Sequence, residues 1–171
     1  MPAQSNDFTV EVASVNSHAN GRSYNTYHGV ELNGGYQFNF LKRIYVEPQI
    51  GLTWLNHKDL ENGPVGGGPG TFWQKVHNKS SLDIRLGATG GVKLCKYIGV
   101  FTGPDLRFNV WKEDLVYDNP PVKTTAAWWR FGLDVFVWKL RFRGSVGVSM
   151  NHPYYEDERN DNYTIGIAYQ F

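Results

Sequence analysis

The chain has 171 residues, room for one domain or one closed barrel but not for two domains. Its 17 basic and 16 acidic residues leave a net charge of +1, which argues against the basic footprint of a nucleic-acid binder. The single cysteine, Cys95, precludes an internal disulfide, and no apolar run approaches the roughly 18 residues of a membrane helix, so a helical membrane protein is excluded.

Residues 1–6 read as a flexible lead-in. The opening "MPAQSND" has no apolar core of a secretory signal, so Met1 is read as a start placed on a mature form and export as an inference. Beyond it, runs that alternate apolar and other residues recur with turn signals between them, and no stretch holds a helical period. Eight strands are predicted, at about Phe8 to Ser17, Tyr27 to Phe40, Ile44 to Asn56, Ser81 to Leu94, Ile98 to Trp111, Thr125 to Trp138, Leu140 to Asn151 and Asn162 to Phe171.

The connections alternate between short and long. Tight ones fall at Leu41-Lys42-Arg43, Cys95-Lys96-Tyr97 and Lys139; long polar ones fall at about 18–26, 57–80, 112–124 and 152–161. An up-and-down barrel puts every short turn at one end and every long loop at the other. In outer-membrane barrels the turns are periplasmic and the loops extracellular, and an even strand number returns both termini to the periplasm.

Successive side chains of a strand point to opposite faces, so each run divides in two. One face carries Glu11, Glu31, Glu47, Asp83, Asp105 and Asp134 together with Arg85, Lys93, Arg107, Arg130, Arg141 and Arg143. The other carries residues such as Val12, Leu32, Leu52, Ile84, Leu106, Leu133, Phe142 and Ile167, and within the strands no charge.

Alternation alone fits a membrane barrel with a polar lumen or a soluble lipocalin-like barrel with an apolar cavity. Residue size decides between them. The polar face holds Gly29, Gly35, Gly51, Gly87, Gly91, Gly99, Gly103, Gly132, Gly147 and Gly166, and the apolar face only Gly34, Gly90 and Gly144. An eight-stranded barrel has an interior just wide enough for side chains, so small residues belong on its inner wall. Energetics agree, because a basic residue facing lipid costs roughly 2–4 kcal/mol at mid-bilayer, whereas in the lumen it can pair with a carboxylate. The twelve charges are therefore expected to form a salt-bridged plug. Aromatics near the strand ends, Phe38, Phe40, Tyr45, Tyr97, Trp138 and Phe171 at one end and Trp54, Trp73, Trp111, Trp128 and Trp129 at the other, are expected to form two interfacial girdles.

The tight turn before "IYVEPQIGLTW", the strand "FTGPDLRFNV" and the closing "IGIAYQF" resemble the small eight-stranded outer-membrane barrels, similar to the OmpA transmembrane domain, OmpX and the porin-like outer-membrane β-barrel family. The resemblance covers the whole chain and rests on pattern. It implies a single domain over 1–171: an all-β, eight-stranded antiparallel transmembrane barrel of the outer membrane. It also implies contact with outer-membrane lipid and lipopolysaccharide, and delivery by the barrel-assembly machinery with Tyr169 and Phe171 as assembly signal. Family members act as structural anchors, adhesins or host-interaction proteins, and a few modify lipid A.

No residue set announces catalysis, a cofactor or a metal. His18, His28, His57, His77 and His152 all map to the long-loop end, at spacings that match no ligand motif. Ser149, His152 and Glu156 or Asp157 supply the residue types of an acyl-transfer site, but not the arrangement of the lipid A enzymes. "GPVGGGPG" lacks the lysine and helix of a phosphate loop. "YYEDERND" reads as a solvated loop able to contact cations, lipopolysaccharide or a partner, and Cys95 as incidental. The expected function is that of a non-conducting outer-membrane barrel that is not an enzyme and has no cofactor, acting through its extracellular loops as a structural, adhesion or partner-binding protein. The alternatives are a soluble lipocalin-like carrier and a lipid A-modifying enzyme.

Overall fold

In the computed structural model the described residues are 7–19, 26–40, 43–64, 72–112, 125–150 and 160–171; residues 1–6 lie outside them. They form eight strands: β1 (Asp7–Ala19), β2 (Thr26–Phe40), β3 (Ile44–Pro64), β4 (Phe72–Lys93), β5 (Ile98–Lys112), β6 (Thr125–Val137), β7 (Leu140–Ser149) and β8 (Asn160–Gln170). Each pairs antiparallel with its neighbours in sequence, and β8 pairs with β1, so the sheet closes and no edge is left along the barrel.

The register fixes the geometry of closure. One circuit of the ladder runs from Ile98 through Val135, Phe142, Ile167, Val12, Leu32, Leu52 and Ile84 to Phe108. It returns to β5 ten residues beyond its start (98 to 108), a stagger that tilts the strands and sets the width of the lumen. Every residue of that circuit is apolar and turned outward. Exposure is high round most of this belt, reaching 75 % at Ile165, and intermediate at Ile84 and Phe108, while Glu31, Glu47, Asp105, Asp134 and Arg141 are at 0 %. A charged interior inside an apolar exterior is the reverse of a lipid carrier in water, and the soluble alternative fails on that ground.

Two expectations are corrected. The segment 57–80, read as a loop, is largely strand: β3 and β4 continue as a paired ribbon from His57↔Lys79 to Pro64↔Phe72. Spanning a bilayer takes about 9–11 residues per strand, whereas β3 and β4 have 21 and 22. The excess extends beyond the pairing of β3 with β2 and of β4 with β5. The residues there do not keep the apolar alternation of a lipid-facing strand, while pairing between β3 and β4 still holds the backbone extended.

The second correction concerns the girdles. Tyr45 and Trp128 share the inward phase of Glu47 and Arg130 and are buried in the lumen, at 0 % and 6 % exposure. Trp111 would follow Arg107 and Asn109 inward, but Leu82 opposes Trp111 while Asp83 opposes Asn109. This bulge at Val110 turns Trp111 outward, where it stacks on Trp54 at 5.6 Å. The Trp73 side chain lies outside the described residues.

Candidate functional site in the barrel lumen

The inward positions of neighbouring strands stack their side chains across a narrow lumen, and the charges there fall into two groups. Towards the loop end, Glu31 of β2 faces three arginines from β4, β5 and β6. Its carboxylate is 3.2 Å from Arg85, 2.8 Å from Arg107 and 3.4 Å from Arg130, and it accepts hydrogen bonds from Asn33 Nδ2 at 2.7 Å and Thr53 Oγ1 at 3.2 Å. Asp105 faces the same three guanidiniums, with Arg85 Nε at 2.5 Å, Arg130 Nε at 3.1 Å and Arg107 Nε at 3.5 Å. Arg85 also donates to Gln49 Oε1 at 3.0 Å.

Towards the short turns the proportions invert. Arg141 donates a fork of two 2.7 Å hydrogen bonds to Glu47, and Arg143 donates to both oxygens of Asp134 at 2.8 and 3.0 Å and to Glu47 at 3.1 Å. Glu11 lies 3.4 Å from Arg143 and 3.7 Å from Arg141. Thr9 donates to Glu47 at 2.6 Å, and the Tyr45 hydroxyl donates to Asp134 at 2.5 Å. Two carboxylates against three guanidiniums above, and three against two below, make five of each in all.

Asp83 and Lys93 stand outside these groups. Asp83 accepts from Asn109 Nδ2 at 2.7 Å near the loop end, and Lys93 lies over the Phe136 ring, 5.0 Å from its centroid, at the turn end. A buried ion pair survives desolvation only if its remaining donors and acceptors are also met. The amides of Asn33, Gln37 and Gln49 and the hydroxyls of Thr9, Thr53 and Tyr45 meet part of that demand, while Arg85 Nη1, Arg107 Nε, Arg141 Nε and Asp105 Oδ2 are buried without a hydrogen bond among the described residues.

Glycines make the space. A Cβ on Gly91 would strike the Tyr45 ring, one on Gly132 the Phe101 ring and the Gly144 carbonyl, and one on Gly103 the Ala88 carbonyl. Tyr45, Phe101 and Phe136 cluster against the wall so cleared. The Arg143 guanidinium lies 4.3 Å from the Phe101 centroid and that of Arg107 5.1 Å from Trp128. Sequence reading missed these lumen aromatics, although their phase with neighbouring charges was the available signal.

The loop-end chemistry lies mostly outside the described residues. His28 shares a 2.6 Å hydrogen bond with Asn16 on the outer surface. The side chains of His18, His57 and His77, all of His152, and Glu156 and Asp157 beside Ser149 are not described. Residues 65–70 of "GPVGGGPG" and 154–159 of "YYEDERND" are likewise outside. Among the described residues no three His, Cys, Asp or Glu are grouped to hold a metal.

A closed eight-stranded sheet with an apolar belt outside and ion pairs inside defines a transmembrane β-barrel of the outer-membrane type. No family model and no curated sequence matches the chain. Solved structures do. Ail, the attachment invasion locus protein of Yersinia pestis, in complex with the heparin analogue sucrose octasulfate, aligns over 97 % of both chains at 12 % identity with a TM-score of 0.56. The same Yersinia pestis outer-membrane protein in a phospholipid bilayer nanodisc aligns over 98 % of this chain and 100 % of that one, at 12 % identity and a TM-score of 0.53. Neisserial surface protein A aligns over 97 % of both chains at 10 % identity and a TM-score of 0.53. The chain thus has the fold of the small eight-stranded outer-membrane barrels.

Proposed function

We propose that the protein is an integral outer-membrane barrel whose lumen is closed to solutes and whose work is done at the loop end, as a structural, adhesion or partner-binding protein without enzymatic activity. The observation that carries this is the pair of interlocked charge groups. Five guanidiniums and five carboxylates from seven of the strands cross the lumen in the space a channel would need. A barrel filled in this way serves as an anchor.

What it holds out is the β3–β4 ribbon. Beyond His57 and Ser81 no described strand flanks it, so both its edges offer backbone donors and acceptors to a partner. Lipopolysaccharide and outer-membrane lipid would surround the belt, and the assembly machinery would recognise the last strand through Tyr169 and Phe171. Attachment in the name of Ail, and its complex with a heparin analogue, support trying sulfated polysaccharides first as ligands.

The test is twofold. In planar bilayers the purified protein should give no stable open-channel current; a steady conductance would refute the closed lumen. Replacing 58–79 by a short turn should leave membrane insertion and heat-modifiable gel mobility intact while abolishing binding to cells or polysaccharide. Retained binding would remove the ribbon from the function.

A further inference from the structure

Among the residues whose side chains are described, three charged ones are exposed, Arg43, Lys96 and Lys139. All are cations, and one sits at each short turn. The carbonyls of Arg43, Tyr97 and Lys139 accept hydrogen bonds from Lys93 N at 2.7 Å, Phe136 N at 2.8 Å and Gln170 N at 2.8 Å on the next strand round. Each turn is thus stitched to its neighbour, and the cations stand on a rigid ring. Asp7 and Lys93 at the same end are only half exposed.

Aromatic rings lie beside these charges. Lys96 Nζ is 5.3 Å from the Tyr97 centroid and Lys139 Nζ 5.8 Å from that of Tyr169. Between β6 and β7 the two-residue turn is Trp138-Lys139, and Trp138 has φ 56° with 84 % of its surface exposed. The first position of such a turn favours glycine, and for a bulky residue a positive φ is an outlier. A tryptophan held there gains nothing from the protein it barely touches. Its ring suits the apolar–polar boundary of a bilayer, beside a cation at head-group depth.

We propose that the three short turns form a basic ring that binds the head groups of anionic phospholipids in the facing leaflet. Arg43, Lys96 and Lys139 contact phosphate, and Trp138 and Tyr97 seat the turns at the interface. This rests on the membrane-spanning reading above. Attraction of about fivefold per cation is ordinary at such a surface, so three together amount to on the order of a hundredfold.

The experiment uses the full chain in phosphatidylcholine vesicles carrying brominated phosphatidylglycerol or brominated phosphatidylcholine, and reads the relative association of the two lipids from tryptophan quenching. The wild type should prefer the anionic lipid, and the triple variant R43Q/K96Q/K139Q should lose at least tenfold of that preference. High salt should suppress it, and inorganic phosphate at matched ionic strength should not compete. Equal preference in wild type and variant, a wild type without preference, or displacement by free phosphate would overturn the proposal. Heat-modifiable mobility scores insertion separately. A wild type that does not insert sinks the membrane reading, whereas an inserted wild type without lipid preference sinks the ring alone. Should the triple variant not insert, each single neutralisation should lower the preference about fivefold; three singles that match the wild type would refute it.

Discussion

Glu31 is the pivot of the upper charge group, and Glu31→Gln is the sharpest test of it. The substitution keeps the shape of the side chain and removes one negative charge from a site at 0 % exposure. Arg85, Arg107 and Arg130 are then left with Asp105 as their one carboxylate within salt-bridge distance, apart from Glu31, among the described residues. Breaking a buried pair by removing one partner costs about 3–5 kcal/mol. With an unfolding slope of about 2 kcal/mol/M, the urea midpoint should fall by about 2 M. The assay is equilibrium unfolding in zwitterionic vesicles, followed by tryptophan fluorescence and by heat-modifiable mobility. Arg130→Gln in the same chain removes the surplus cation and should restore about 1–3 kcal/mol relative to the sum of the single effects. A loss below about 1 kcal/mol for Glu31→Gln, or strict additivity of the pair, would show that the charges are solvated and that the lumen is not the tight network described.

Other outcomes follow from the same geometry. Gly103→Ala, whose new Cβ meets the Ala88 carbonyl, should cost about 1–3 kcal/mol in the same assay, while Gly144→Ala, with nothing within 4 Å, should be neutral or slightly stabilising. Tyr45→Phe removes the 2.5 Å hydrogen bond to Asp134 and should lower stability by about 1–3 kcal/mol without changing mobility on gels. Trp138→Gly relaxes the turn and should add about 1–2 kcal/mol in detergent micelles, with a smaller gain in bilayers; equal gains in both would show that the indole does nothing for the membrane. Phe171 donates its backbone N–H to the Phe8 carbonyl at 2.9 Å and packs 4.9 Å from Tyr169, so its deletion should loosen closure modestly in vitro. In cells, unchanged assembly of the shortened chain would remove Phe171 from any recognition role.

Much of the fold was legible because a lipid-facing strand has a strict pattern. Val12, Leu32 and Leu52 alternate with Glu11, Glu31 and Thr53 because one neighbour meets hydrocarbon and the next meets the lumen, and a slip of one residue would reverse every such pair. The ribbon beyond His57 and Lys79 was not legible, since its residues do not keep the two-residue apolar period by which the other strands were read. Trp111 was placed outward for its position near a strand end, but the reason it points there, the bulge at Val110, leaves no mark in a local pattern. Tyr45 and Trp128 were misplaced by position along the strand when their phase with Glu47 and Arg130 indicated the lumen.

The amino-acid sequence by itself determined that there are eight strands, which face of each is charged, and that glycine lines that face, because these follow from a two-residue period and from side-chain volume. Only the tertiary structure decided which charges meet. Glu31 reaches Arg107 across 76 residues of chain and Arg130 across 99. Those partners are set by the ten-residue stagger with which the sheet closes, a global quantity to which every turn and bulge contributes.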